Sequence, residues 1–216
     1  GAMGKDVGEA LQDQAFTRDR LKGSMIEPSW SGALSFFRRK YTKDLTGVDV
    51  AISGIPFDLS VSNRPGARLG PEAIRRASAP HAWGPIWPWR FDPFDTLACI
   101  DYGDCGFDWG APTDIPAAIE AHAATILASG AATFNLGGDH FTTYPTLKAH
   151  AAKYGPMGMV QFDAHRDVEQ DSGGRIDHGS MFYYAVRDGI LDPKRVVQVG
   201  IRTCFRGEES HGMTIL

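Results

Sequence analysis

Gly137-Gly138-Asp139-His140 closes one apolar run of this chain, and Asp163-Ala164-His165-Arg166-Asp167 closes the next. Carboxylates and imidazoles are the oxygen and nitrogen donors that hold hard or borderline divalent metals. The run Met157–Phe162 stops where the acids begin, as a buried strand does on entering a site. A backbone extended through Asp163, His165 and Asp167 would aim their side chains the same way, since the side-chain period of a strand is two. With His140 from a neighbouring strand end, such a set can ligate one metal and begin a second. Burying these charges without a cation would be costly. A metal site is therefore expected in place of a solvated polar loop.

The surrounding pattern supplies elements to position these residues. Strands are predicted at Val48–Gly54, Leu97–Ile100, Ala132–Leu136, Met157–Phe162 and Val196–Ile201. Between them lie a helix opening at Leu69-Gly-Pro-Glu, a long alanine-rich helix from an Asp114 cap through Leu127, and helices over Thr143–Tyr154 and Ser180–Asp188. Alternation of this kind predicts an α/β fold: three layers, α/β/α, around a mostly parallel central sheet. Ligands of such sheets bind beyond the carboxyl ends of the strands, where the acids and histidines fall. Residues 1–4 read as a tag scar, 5–47 as an N-terminal extension anchored by Trp30, Phe36 and Phe37, and 48–216 as the α/β domain. The segment His81–Pro93 reads as an ordered loop whose Trp83, Trp87 and Trp89 need cover.

A net charge of −4 with mixed signs argues against nucleic acid or an anionic membrane as partner. The densest basic stretch, Arg38-Arg39-Lys40, reads as a solvated helix end. No run approaches membrane-spanning length and no signal peptide opens the chain. Three cysteines, none in a Cys-x-x-Cys spacing, fit a reducing, cytoplasmic setting, with Cys99 a small core residue. His122 and His150 lie on alanine-rich amphipathic helices, and His81 and His211 sit in loops with no acidic partner at ligand spacing, so none of the four receives a role. Asp139 either orients its neighbour His140 or serves as a turn residue after two glycines.

Gly137-Gly-Asp-His-Phe141, Asp163-Ala-His-Arg-Asp167 and Asp177-His-Gly-Ser-Met-Phe182 resemble signature segments of the ureohydrolase superfamily, which holds arginase, agmatinase and formiminoglutamase. Gly54–Asp58, Arg64–Arg75 and Val199–Thr203 resemble further segments in the same order, and the Ser-Met-Phe and Gly-Ile-Arg-Thr stretches point to the agmatinase branch. The resemblance implies two Mn²⁺ ions, one served by His140, Asp163 and Asp167, the other by Asp163 and His165. It implies Asp167 as acceptor of the nucleophile's proton and His178 as proton shuttle; read alone, His178 would be a neighbour of a helix cap. The expected reaction is hydrolysis of agmatine to putrescine and urea, with guanidinobutyrate as the alternative substrate. The expected assembly is a homo-oligomer, trimer or hexamer. Glu169, Asp171 and Asp177 against Arg166 and Arg175 leave the substrate's tail undecided by charge counting. The family's later Phe-Asp-x-Asp-x-x-Asp-Pro segment, with two more carboxylate ligands, has no match before Leu216, so the sheet is expected to be incomplete at its C-terminal side. A non-catalytic, ureohydrolase-like binding or regulatory protein is the alternative of a different class.

Overall fold

Val50–Ile55 (β2) is mostly apolar, and every residue after the first is buried, as befits a strand covered on both faces. It pairs in parallel with Cys99–Asp104 (β3) on one side and Ala132–Gly137 (β4) on the other, and Lys40–Tyr41 (β1) adds beyond β3, giving the order β1-β3-β2-β4. These strands belong to one compact unit, formed by Gly1–Phe57, Gly66–Gly106 and Thr125–Gly138. The structure, a computed structural model, describes residues 14–24, 28–170, 173–205 and 209–216; the expected tag scar and Asp171 lie outside them. Val48, Ala51, Ile100, Tyr102, Ile126 and Ala131 form a core within this unit. Gly54 is required in β2 because a Cβ there would collide with the Asp104 carboxylate.

After a single helical turn, Gln14–Thr17 (α1), the first long helix is Gly70–Ser78 (α2). Its Pro71 stands in the first turn, where a missing N–H costs nothing, and Glu72 in the first turn and Arg75 and Arg76 in the last stand where the helix dipole favours their charges. Arg75 reaches back over the sheet: Nε and Nη2 donate to the two oxygens of Asp101 at 2.8 and 3.0 Å, and Nη1 to Asp104 at 2.7 Å. Asp101 is wholly buried and also accepts the backbone N–H groups of Phe36 and Gly103.

Two expectations fail in this unit. Arg38 and Arg39 are buried rather than solvated, because their guanidinium groups serve carbonyl oxygens of the N-terminal segment. Arg39 donates to Phe37 and Gly23 and lies 4.1 Å above the Phe94 ring, and burial lowers its pKa to about 10. Trp30, Trp83, Trp87 and Trp89 are exposed, so Trp30 is no anchor and the loop tryptophans are not covered. Phe36 and Phe37 do pack, against each other and against Phe94 or Phe134.

Ile115–Ala128 (α3) contributes residues to both units. Asp114 ends a 3₁₀ turn that runs into it. The second unit is formed by Asp58–Pro65, Phe107–Ala124 and Asp139–Leu216. It holds a parallel sheet of Met157–Phe162 (β5), Leu191–Val199 (β6) and Thr214–Ile215 (β7), in that order, with helices Thr143–Tyr154 (α4) and Met181–Arg187 (α5). Helix α4 ends on Gly155, whose φ of 79° suits glycine. Every strand pairing among the described residues is parallel, in the four-stranded sheet of the first unit and the three-stranded sheet of the second. No described helix is long and apolar enough to cross a membrane.

Candidate metal centre

Beyond Phe162 the backbone does not stay extended, contrary to the sequence expectation. The Asp163 carboxylate bends the chain by accepting the His165 N–H at 2.9 Å, and Asp167 adopts a left-handed φ of 56°. The turn brings both carboxylates to His140, which opens the 3₁₀ turn after β4. His140 Nδ1 lies 3.4 Å from Asp163 Oδ2 and 3.0 Å from Asp167 Oδ2. One donor atom from each of these three residues falls within 4.8 Å of the others.

His165 stands outside that trio, 58% exposed, with Nδ1 3.5 Å from the other Asp163 oxygen, Oδ1. The two oxygens of Asp163 thus face two different imidazoles. The Phe182 ring meets His140 edge-on, with centroids 5.6 Å apart, and limits the imidazole's freedom. Partial burial pushes the Asp163 carboxyl up, but the His165 N–H, His140 and Gln161 outweigh it and hold its pKa below the usual value. Among the described residues, no lysine or arginine pairs with Asp163 or Asp167. A pair of converging carboxylates served only by imidazole and amide groups is suited to a divalent cation.

Asp139 is engaged elsewhere. One oxygen accepts the Phe141 N–H at 2.7 Å and caps the 3₁₀ turn; the other accepts the Ser60 N–H at 2.8 Å. Burial raises its pKa. Ser60 in turn accepts the backbone N–H of His178 at 3.0 Å. The chain Asp139–Ser60–His178 therefore fixes where the His178 imidazole stands, and its buried Nδ1 has no hydrogen-bond partner among the described residues. Ser60 carried no local signal in the sequence, being 118 residues from its partner. Asp177 caps the turn beneath His178 by accepting the N–H groups of Gly179 and Ser180. A cleft of about 540 Å³ is lined by His140, His165, Asp167 and His178 and also by Arg64 and Glu169.

A model of the arginase family matches residues 48–216. An agmatinase from Chromobacterium violaceum is 56% identical over 193 residues, which is 88% of this chain and 60% of that protein. The crystal structure of a hypothetical agmatinase from Burkholderia thailandensis shares the fold at a TM-score of 0.90 and 52% identity, over 95% of this chain and 64% of that one. A Trypanosoma cruzi formiminoglutamase solved with Mn²⁺ aligns at a TM-score of 0.70 and 25% identity, over 81% of this chain and 62% of that one. The chain spans about 60% of the length of the curated relative, and its fold is the arginase-like α/β fold.

Proposed function

Because the chain belongs to the arginase family, we propose that the protein containing it hydrolyses agmatine to putrescine and urea at a two-manganese centre. The observation that carries this reading is the convergence of His140, Asp163 and Asp167 with no ion-pairing lysine or arginine among the described residues, in a chain 56% identical over 193 residues to an agmatinase. The donor set contains carboxylates and imidazoles and no thiolate, which suits Mn²⁺, the ion in the Trypanosoma cruzi neighbour. His140, Asp163 and Asp167 would hold one ion. The second oxygen of Asp163 and His165 would begin the shell of another.

When bound, such ions supply a nucleophile from water at neutral pH and stabilise developing negative charge. The residues of the chain do the rest. Asp167, buried to 8% exposure, accepts the proton released by the nucleophile. His178, held through Ser60, lines the same cleft and delivers a proton to the leaving amine, work that a side chain titrating near neutrality performs well. Glu169 in that cleft suits the distal ammonium of agmatine. Arg64, also in the lining, favours the second reading, a guanidino acid such as guanidinobutyrate. The free cysteines support a cytoplasmic setting, and the exposed tryptophans support a homo-oligomer.

The test is urea release by the full-length, manganese-loaded protein from agmatine, guanidinobutyrate and arginine. Agmatine should lead in kcat/KM by about tenfold or more, a difference of about 1.4 kcal/mol in transition-state binding. A guanidinobutyrate preference would favour the Arg64 reading, and no urea from any of them would contradict ureohydrolase activity. His178→Ala should lower kcat about 10²-fold or more while manganese content is unchanged, because proton transfer acts in the transition state.

A further inference from the structure

Gln161 of β5 and Gln198 of β6 lie opposite each other in the parallel register, at 5% and 0% exposure. Apolar side chains would fill these positions at no polar cost, so two buried amides call for an explanation. Their hydrogen bonds form a directed series. The Arg166 guanidinium can only donate: Nη1 and Nη2 bond the carbonyls of Glu209 at 2.6 Å and Ser210 at 3.0 Å, and Nε bonds Gln198 Oε1 at 3.1 Å. That bond turns the Gln198 amide nitrogen toward Gln161 Oε1 at 2.6 Å and the Arg166 carbonyl at 2.8 Å. Gln161, its oxygen thus committed, aims its own nitrogen at the His165 carbonyl at 3.1 Å and at Asp167 Oδ2 at 3.2 Å.

We propose that Gln161 and Gln198 are positioning residues: a buried amide relay, polarised by Arg166, that holds the Asp167 carboxylate and its left-handed turn ready for a divalent cation. The inference rests on the metal reading of the site. Two features make the relay more than packing. Its orientation is set by the one member that cannot accept a hydrogen bond, and it ends on one of the converging carboxylates. It also grips the carbonyls of His165 and Arg166, the residues leading into Asp167 at φ 56°. Carboxylate ligands are commonly oriented by such outer partners.

Gln198→Glu tests the direction of the relay. The new carboxylate still accepts from Arg166 but cannot donate to Gln161, so the Gln161 amide must turn and present its oxygen to Asp167. Manganese dissociation constants are read from free-Mn²⁺ electron paramagnetic resonance on the full-length, chelator-stripped protein. Gln198→Glu should weaken binding by about 10- to 100-fold. Gln161→Met, which keeps the shape and removes both donors, should also weaken it. Adding Gln198→Glu to Gln161→Met should then cost little more, because the route to Asp167 is already cut. Gln161→Met serves alone if Gln198→Glu does not fold. Unchanged manganese affinity in either folded variant, or fully additive losses in the pair, overturns the relay. Absence of manganese binding by the unsubstituted protein overturns the metal reading and the relay with it.

Discussion

Two pairs of aspartates stand on or just beyond strands of this chain, one pair in each unit, and they are neutralised in opposite ways. Asp101 and Asp104 on β3 receive the fork of Arg75, so the protein carries its own cation to them. Burial alone would push the Arg75 guanidinium down, but its bonds to both carboxylates hold its pKa above the ordinary value. Among the described residues, Asp163 and Asp167 after β5 receive only imidazole, amide and backbone N–H groups. Arg166 lies between them in sequence, yet its guanidinium bonds Gln198 and the carbonyls of Glu209 and Ser210. The first pair is a finished structural unit. The second has donors arranged as if for a cation from outside. A buried charge is stable when paired, and the identity of the partner separates a scaffold from a site.

The largest expected effect is on the closed pair. Arg75→Ala leaves Asp101 buried without its cation and should destabilise the full-length protein by about 3–5 kcal/mol in urea unfolding. A loss below about 1 kcal/mol, the range of an exposed pair, would break the comparison. The open pair should respond to added metal instead. Manganese at 100 times its dissociation constant should stabilise the stripped protein by about 2.7 kcal/mol, and Asp163→Ala should abolish that gain. Equal stabilisation of Asp163→Ala would place the ion elsewhere. The smallest effect sharpens the contrast between the units. Cys99 and Cys105 sit buried in the first unit, where desolvation raises each thiol to about 11, whereas Cys204 in the second is exposed. Alkylation of the folded protein at pH 8 should therefore label Cys204 and spare the other two, as peptide mass mapping would show.

Much of the frame was legible in the sequence because periodicity and punctuation are local. β5 and α4 fall on the predicted bounds, and β4 differs by one residue at its end. β6 starts at Leu191, ahead of the predicted Val196, because Asp192-Pro193 reads as a break while Leu191 still pairs with Met157. Arg38 and Arg39 looked solvated because their carbonyl partners belong to irregular chain that no pattern announces. In the candidate site, residue types and spacing pointed to His140, Asp163 and Asp167 as donors. They did not show that the chain turns back at Asp167, which separates His165 from the trio. Gln161 and Gln198 were hidden inside apolar runs, and Ser60 acts across a separation visible only after folding.

On the proposed function, the open carboxylate pair binds the metal ions of a guanidino hydrolase. Anomalous diffraction at the manganese edge, from crystals of the full-length protein grown with Mn²⁺, tests it most directly. One peak is expected among His140, Asp163 and Asp167 and a second beside His165 and the other oxygen of Asp163. Crystals that diffract well and show no anomalous peak at these residues, with His140 still in direct contact with both carboxylates, would contradict it.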